Sequence, residues 1–206
     1  MIAEQPSKRR FSPGLAVGMT IAMPEKTERA ITGTVDWVAP NGLTIRGATG
    51  DDAREIAALW NRAVEEQKER RRRLPFADLL DAVYQRIADP EGRFLLAFDG
   101  EELVAMVHAA IVSRPTGREG GESRQMNLSM LAVDPSSWRR GLGRTLIGRC
   151  IELARARRVD AVRLWSHTTN DRASRLYEKL GFRNGHCFKL DTGGDVAVQY
   201  RYTVDR

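Results

Sequence analysis

The sequence MNLSMLAVDPSSWRRGLGRTLIGRCIELA, residues 126–154, joins a strand pattern to a helix pattern through a glycine turn. In its second half, apolar residues recur at helical spacing at Leu142, Leu146, Ile147, Cys150, Ile151 and Ala154. A short apolar strand pattern at 161–165 and a second helix pattern that closes on Gly181-Phe182 follow. The order strand, glycine turn, helix, strand, helix predicts that this stretch forms the centre of the fold.

Upstream of this centre, Thr49-Gly50-Asp51-Asp52 is a helix-start signal, and a second amphipathic helix is predicted at 76–88. Two strands at 93–98 and 103–112 flank Asp99-Gly100, which is typical of a hairpin. The polar stretch 113–125 predicts a mobile loop that borders a substrate site. After residue 182 come two further strand patterns, separated by a glycine-containing turn.

This element order predicts an α/β (α+β) fold in which a mixed, mostly antiparallel sheet carries helices on both faces. Residues 1–14 read as a disordered basic tail, and residues 15–42 as a small β-rich extension that could hardly fold alone. The main domain is expected to span residues 43–206.

Composition limits the possible functions. The chain is 42% hydrophobic and 29% charged, with no apolar run long enough for a membrane span and no signal-peptide pattern, which predicts a cytoplasmic protein without membrane attachment. The net charge of +6 would admit an anionic ligand, but no nucleic-acid module accompanies it, so we do not expect nucleic acid as a partner. His108, His167 and His186 match no metal-ligand spacing, and no metal is predicted.

The glycine turn predicts an anion site. The N-terminus of a helix offers unpaired N–H groups and the positive end of the helix dipole. Gly141 and Gly143 supply backbone freedom and leave no Cβ to hold a phosphate at a distance, while Arg139, Arg140 and Arg144 add positive charge. A lone G-x-G pattern is weak evidence, because many strand-to-helix turns use glycine for geometry only.

The second helix strengthens this interpretation. Asn170 is placed to cap it, and Ala173 and Tyr177 follow at i+3 and i+7 on the same face. A tyrosine there would be half buried, and its hydroxyl can donate a proton to a departing thiolate. Without the neighbouring glycine turn, Tyr177 would be interpreted as a core aromatic.

Together, Arg139-Arg140-Gly141-Leu142-Gly143 and the series Asn170, Ala173, Tyr177-Glu178-Lys179-Leu180-Gly181-Phe182 resemble the acetyl-CoA-binding region of the GNAT acyltransferase superfamily. The resemblance covers roughly residues 43–206 in element order. It implies an N-acetyltransferase that moves an acetyl group from acetyl-CoA to a primary amine by direct transfer.

The resemblance also implies roles for individual residues. The backbone of Leu131, Ala132 and Val133 would bind the pantetheine arm, and residues Arg139, Arg140, Gly141, Leu142, Gly143 and Arg144 would bind the pyrophosphate. Asn170 and Ala173 would contact the cofactor near its bend, and Tyr177 would be the general acid. The chain departs from the family pattern at Trp138, where the family has Gln or Arg, so a side-chain contact expected at that position is in question.

A second departure concerns the general base, because the strand before the glycine turn carries Asn127 and Ser129 where many relatives have a carboxylate. Water, Glu122, His108 and His167 all remain candidates. The resemblance leaves the acceptor open between small-molecule and peptide amines, and the protein is expected to be a monomer or a homodimer. The alternative is a non-catalytic acyl-CoA-binding module with a regulatory or interaction role.

Overall fold

The computed structural model describes residues 37–38, 42–66, 75–115, 122–189 and 196–205. The predicted tail at 1–14 and most of the predicted extension at 15–42 lie outside these ranges. Within them the elements are β1 (Trp37–Val38), β2 (Thr44–Gly47), α1 (Ala53–Glu66), α2 (Phe76–Ala88), β3 (Gly92–Asp99), β4 (Glu102–Pro115), β5 (Glu122–Val133), α3 (Leu142–Ala156), β6 (Ala161–His167), α4 (Asp171–Lys179), β7 (Arg183–Lys189) and β8 (Val196–Thr203).

The described strands form one sheet in the order β1-β2-β3-β4-β5-β6-β8-β7. Every neighbouring pair is antiparallel except β5 and β6, which run parallel because the crossover helix α3 joins them. The predicted mixed, mostly antiparallel sheet is therefore confirmed. The short strand β2 enters the main sheet by pairing antiparallel with β3.

Helices cover both faces of the sheet, as predicted. On one face, α3 packs its buried stripe against the sheet, and all six residues predicted for that stripe are buried. On the opposite face, α1 and α2 enclose a second core with apolar residues of β3 and β4, such as Phe94 and Met106. Fully burying a Leu or Phe side chain stabilises a fold by about 1.5–3 kcal/mol.

The start of α1 confirms the helix-start signal. A short 3-10 turn at Gly50–Asp52 leads into the helix, and Thr49 and Asp52 form a capping box. Arg46 also binds the Asp52 carboxylate at 2.7 Å, which joins β2 to this turn. The pKa of the Asp52 carboxyl is lowered chiefly by the hydrogen bond from Arg46, against the opposing effect of burial.

One structural prediction is wrong. The stretch 113–125 is not a loop along its whole length, because β4 extends to Pro115 and β5 begins at Glu122. Paired positions include Ser113 with Arg124 and Val112 with Gln125. The side chains here are polar because the end of this long hairpin is exposed, and a polar exposed hairpin resembles a loop in sequence. Residues 116–121 lie outside the described residues.

Candidate active site

The two parallel strands at the centre of the sheet separate along their length. β5 pairs with β6 from Gln125 opposite Ala161 to Leu128 opposite Leu164. Beyond that point β6 stays paired with β8 as far as His167, while β5 continues beside β4 to Val133. The strands therefore diverge from Ser129 onward and leave a gap in the sheet.

A β-bulge in β5 accompanies this separation. Ser129 is opposite His108 and Ala132 is opposite Met106, so β5 has one more residue than β4 across this interval. Within the extra length, Met130 has a φ of 49°, in the left-handed region that a side chain with a Cβ seldom adopts. Bulges bend a strand and increase its local twist, which here turns the end of β5 away from β6.

An open cleft occupies the gap. It is bounded by α1 on one side, by the two separated strands, and by the N-cap and the last turn of α4. Its lining residues are Trp60, Ala63, Val64, Leu128, Ser129, Met130, Leu131, Leu164, Trp165, Ser166, Asn170 and Tyr177. Three residues predicted for the site, Leu131, Asn170 and Tyr177, thus line the same cleft.

The glycine turn has the backbone conformation that its sequence predicts. Arg139 has a φ of 67° and Gly141, the N-cap of α3, has a φ of 81°, so two left-handed residues flank Arg140. The first helical bond runs from the Thr145 N–H to the Gly141 carbonyl at 3.0 Å. The N–H groups of residues 142–144 therefore have no partner within the helix, which is the arrangement that binds anions.

The second glycine of the turn also serves packing between helices. A Cβ at Gly143 would lie 3.1 Å from Leu176 Cδ2 of α4, whereas a Cβ at Gly141 would meet no atom within 4 Å. Gly141 is thus required by its backbone conformation, and Gly143 by the close approach of α3 and α4. The pair fixes the α3 N-terminus next to the helix that carries Asn170 and Tyr177.

Trp138 fills the position at which the sequence departs from its family. Its indole N–H donates to the Val133 carbonyl at 2.9 Å, and the Arg172 guanidinium lies 4.2 Å from its ring centroid. Burial lowers the pKa of Arg172, and the nearby charge of Arg139 lowers it further. The structure thus brings an arginine from α4 to the turn in place of the missing long polar side chain.

The arginines of the predicted pyrophosphate site are not equivalent. The Arg140 guanidinium binds the Asp99 carboxylate at 2.7 Å, so this side chain is engaged by the β3–β4 hairpin. Arg139 is exposed beside the turn, and Arg144 follows on the first turn of α3. Among the predicted pyrophosphate-binding residues 139–144, Arg140 can therefore contact the pyrophosphate more readily through its backbone N–H than through its side chain.

Asp134 anchors the end of β5 to α1. Its carboxylate accepts hydrogen bonds from Ser136 N–H at 3.0 Å, from Ser136 Oγ at 2.7 Å and from Arg62 Nε at 2.9 Å. Burial acts to raise the pKa of Asp134, but the hydrogen bonds from Ser136 and Arg62 outweigh it and lower the pKa. A charged Asp134 at neutral pH therefore holds α1, one wall of the cleft, against the glycine turn.

Asn170 and Tyr177 occupy the places on α4 that the sequence indicates. Asn170 is the N-cap, and its Oδ1 accepts from the Ala173 N–H at 3.1 Å. Tyr177 is 6% exposed, and its ring packs 5.2 Å from Tyr200 and 6.1 Å from Phe182, measured between centroids. Tyr177 is therefore both a core aromatic and a cleft residue, which unites the two interpretations of the sequence.

The structure separates the three side chains proposed as the base. Glu122 begins β5, seven residues before Ser129, and at about 3.3 Å per residue it lies roughly 23 Å from the cleft. Glu122 is thus not among the residues that line the cleft. His167 ends β6 and is not among the residues that line the cleft.

His108 contacts a residue that lines the cleft. It is 5% exposed, and its Nδ1 lies 3.1 Å from Oγ of Ser129, an exposed residue that lines the cleft. Burial lowers the pKa of His108 to about 4, and the charge of Arg86 acts in the same direction. At neutral pH a neutral imidazole therefore stands behind the Ser129 hydroxyl.

Several cleft residues have no signal in the sequence alone. Trp60 and Ala63 read as ordinary apolar positions of α1, and Trp165 and Ser166 as the end of a strand. The role of Arg172 depends on its contact with Trp138 across two elements. Only the divergence of β5 and β6, combined with the helix faces, would have identified these residues.

Comparison with known proteins identifies the family. The model of the acetyltransferase (GNAT) family matches residues 54–182, which include the bulged strand, the glycine turn and α4. The chain belongs to the acetyltransferase (GNAT) family. This assignment confirms the predicted family and its acetyltransferase class, in which acetyl-CoA is the co-substrate.

Individual relatives agree with this assignment. A mycothiol acetyltransferase from Clavibacter michiganensis subsp. michiganensis is 34% identical over 172 residues, which cover 84% of this chain and 50% of that protein. One from Beutenbergia cavernae is 34% identical over 146 residues, 69% of this chain and 46% of that protein. The chain thus spans about half the length of the curated relatives it matches.

Among solved structures, Arabidopsis thaliana NAA60 in complex with acetyl-CoA has the same fold, with a TM-score of 0.60 at 18% identity over 79% of this chain and 98% of that chain.

Within the part of the chain that the structure describes, no helix is long and apolar enough to cross a membrane. In the same residues, no group of three or more His, Cys, Asp or Glu side chains could hold a metal ion.

Proposed function

We propose that this chain is an N-acetyltransferase that moves the acetyl group of acetyl-CoA directly to a primary amine. The observation that carries the proposal is the position of Tyr177 in the gap between two diverging parallel strands, beside the unpaired N-terminus of α3. A gap in a sheet exposes backbone groups on both of its sides. The extended pantetheine arm of acetyl-CoA can therefore form hydrogen bonds with the backbone of β5 where β6 no longer pairs with it.

The proposed cofactor path follows the three predicted segments. The pyrophosphate binds the N–H groups of residues 142–144, with Arg139, Arg144 and Arg172 adding charge. The pantetheine arm extends along Leu131 to Val133, and Asn170 and Ala173 at the start of α4 bound its bend. The Val133 carbonyl already accepts from Trp138, so we assign the pantetheine contacts mainly to residues 131 and 132.

The proposed reaction passes through one tetrahedral intermediate. The amine nitrogen attacks the thioester carbonyl carbon, whose oxygen is stabilised by backbone N–H donors. The carbon–sulfur bond then breaks, and the thiolate takes the proton of the Tyr177 hydroxyl as it leaves. The nitrogen loses a proton, which leaves a neutral amide and free CoA.

We assign the removal of that proton to the pair Ser129 and His108. Among the described residues that line the cleft there is neither a carboxylate nor a histidine, and Ser129 offers contact with a buried neutral imidazole. Because its pKa is about 4, the His108 imidazole can accept a proton only from a strongly acidic group. The positively charged nitrogen formed on attack has such a proton, whereas a free ammonium group must lose its own to solvent first.

The acceptor class is a small-molecule primary amine. This choice rests on the relatives named mycothiol acetyltransferase, since the cleft itself would also admit the N-terminus of a peptide. Mycothiol that lacks its acetyl group is the first compound to test. A cytoplasmic location and a monomeric or homodimeric state complete the proposal.

The test begins with acetyl-CoA alone, by calorimetry, and continues with an amine panel in which release of the CoA thiol is measured. The panel contains mycothiol without its acetyl group, amino sugars, and short peptides with free N-termini. We expect tight acetyl-CoA binding and amine-dependent thiol release. Failure to bind acetyl-CoA would refute the proposal as a whole.

A second candidate, a non-catalytic acyl-CoA-binding module, is favoured by one observation. No carboxylate base lines the described part of the cleft, so a chain that binds acetyl-CoA without transferring its acetyl group would fit the same structure. Acetyl-CoA binding without thiol release across the amine panel would support it.

A further inference from the structure

One face of the sheet carries a row of three arginines on adjacent strands. Arg163 of β6 is paired with Arg201 of β8, and Arg201 is paired with Arg183 of β7. Directly paired residues project to the same face, with Cβ atoms about 4.5–5.5 Å apart. These three residues are called the arginine row below.

Like charges in directly opposite positions destabilise a sheet, so the arginine row is unfavourable in the free protein. Burial lowers the pKa of Arg163, and the charges of Arg201 and Arg114 lower it further, which places a fourth arginine near the row. Among the described residues, none of these four guanidinium groups forms an ion pair with a carboxylate. In addition, Arg163 Nε is buried without a hydrogen-bond partner.

The row lies on the same face as the mouth of the cleft. Arg163 is two residues before Trp165 on β6, and its partner Asn127 is two residues before Ser129 on β5. Residues i and i+2 of a strand share a face and are about 7 Å apart. Trp165 and Ser129 both line the cleft, so the arginine row begins about 7 Å along the strand from a residue that lines it.

No described helix covers this part of the face. The helices α1 and α2 pack over β3, β4 and the adjoining part of β5, and Arg183 and Arg201 are exposed. Among the described carboxylates, Asp160 accepts a hydrogen bond from Ser123 at 3.2 Å, at the end of β5 far from the cleft. Beside the cleft, this face thus presents the exposed side chains of Arg183 and Arg201 to solvent.

We infer that the amine acceptor carries a carboxylate or phosphate group, which binds the arginine row while the amine lies in the cleft. The inference rests on the proposed acetyltransferase function and narrows its acceptor to amines that carry an anionic group, which mycothiol without its acetyl group does not. Guanidinium groups bind carboxylates and phosphates alike through paired hydrogen bonds. The arginine row therefore predicts an anionic group on the acceptor, and the experiment below distinguishes carboxylate from phosphate.

The first measurement compares acceptors that differ only in charge. We expect kcat/KM for 6-aminohexanoate to exceed that for 6-aminohexanamide by roughly tenfold or more, since hydrogen bonds between charged groups are stronger than those to a neutral amide. The pair 4-aminobutyl phosphate and 4-aminobutan-1-ol provides the phosphate arm. A larger ratio in the second pair assigns the site to phosphate, and a larger ratio in the first assigns it to carboxylate.

The second measurement uses the double variant Arg163→Gln with Arg201→Gln. The ratio between charged and neutral acceptors should fall to near one, and the melting temperature should stay the same or rise, because a repulsion has been removed. Arg54→Gln, which removes an exposed arginine on α1, is the matched control and should keep the ratio of the unaltered protein. A ratio that is near one in the unaltered protein, or unchanged in the double variant, overturns the inference.

Product binding provides a readout that needs no turnover. The compounds 6-acetamidohexanoate and 6-acetamidohexanamide are titrated into the CoA-bound protein by calorimetry at two salt concentrations. The inference predicts tighter, salt-sensitive binding of the acid, and equal affinity overturns it even if no amine is acetylated. Loss of thiol release with every amine, in a protein that still prefers the acid, would instead refute the proposed catalysis.

Discussion

Tyr177 has its ring in the core and an edge on the cleft, so its aromatic packing and its hydroxyl can be tested separately. Replacing Tyr177 with Phe keeps the contacts with Tyr200 and Phe182 and removes only the hydroxyl. Loss of a general acid should lower kcat by about 10²–10⁴-fold with nearly unchanged acetyl-CoA affinity. Steady-state kinetics and calorimetry measure the two quantities.

The control for this substitution is Tyr84→Phe, at an exposed tyrosine of α2 that is 45% accessible. It should change neither quantity. If Tyr177→Phe weakens acetyl-CoA binding while turnover stays normal, the role of general acid is wrong and Tyr177 is a binding residue.

His108 should make the stability of the fold depend on pH. Its pKa is about 4 in the folded protein, mainly because of burial, and 6.5 in the reference state. Between pH 6.5 and pH 4 the unfolded chain therefore binds a proton that the folded chain does not, and stability is lost as the pH falls. From pH 7 to pH 4.5 this loss amounts to about 2 kcal/mol in the free energy of unfolding.

Urea denaturation at both pH values measures that loss, with His108→Gln as the matched variant. Glutamine retains a hydrogen-bonding group near Ser129 but does not titrate, so about 2 kcal/mol of the pH dependence should disappear. An identical pH dependence in the two proteins would show that the buried imidazole is not the responsible group.

At the scale of elements, the N-terminus of α3 depends on its two glycines for different reasons. Gly141→Ala places a Cβ on a residue with a φ of 81°, at a cost of about 1–2 kcal/mol, although no neighbouring atom is met. Because that strain falls on the proposed pyrophosphate turn, we expect weaker acetyl-CoA binding by calorimetry. Gly143→Ala should instead lower thermal stability by moving α3 and α4 apart at Leu176.

The helix contains its own control. A Cβ at Gly148, also on α3, would meet no atom within 4 Å. Gly148→Ala should therefore stabilise the protein by about 0.5–1 kcal/mol through helix propensity, with unchanged acetyl-CoA affinity. If all three variants behaved alike, the distinction between turn conformation, helix packing and propensity would be wrong.

The contact between α4 and the glycine turn yields a further prediction. Arg172→Gln removes the charge that lies over Trp138 beside Arg139. Affinity for acetyl-CoA should fall, more strongly at low salt, because a charge near the phosphates is lost. Affinity for S-acetyl-pantetheine, which has no phosphate, should be unchanged. Equal losses for both ligands would assign Arg172 to packing alone.

At the scale of the whole molecule, acetyl-CoA should stabilise the fold, because its proposed site joins β5, α3 and α4. A ligand at one hundred times its dissociation constant adds about 2.7 kcal/mol. For a chain of 206 residues this corresponds to a rise in melting temperature of roughly 5–11 °C, measured by differential scanning calorimetry. No rise at saturating acetyl-CoA would contradict binding at this junction.

The fold could be predicted from the sequence because its signals are local. The helical stripe from Leu142 to Ala154 and the Asn170 cap follow from periodicity and capping chemistry, which neighbouring residues determine. The loop predicted at 113–125 was wrong because exposure, and not chain conformation, determines the polarity of a long hairpin.

The site could be predicted only in part. The glycine turn and Tyr177 were predicted because their residue types and spacing resemble the acetyl-CoA-binding region of the GNAT superfamily. The bulge at Met130 was not, because an additional residue in a strand leaves no mark on composition. The pair His108 and Ser129 and the arginine row depend on the register between strands, which a single sequence does not determine.

Because the bulge in β5 consists of one additional residue, deletion of a single codon can remove it. Up to Ser129, odd-numbered residues of β5 share a face with His108, whereas after the bulge the even-numbered Ala132 shares a face with Met106. Deleting the single codon for Met130 would remove the irregularity and make β4 and β5 pair continuously. We therefore expect an in-frame loss of this codon to straighten the strand and close the cleft, while leaving every proposed site side chain in the protein.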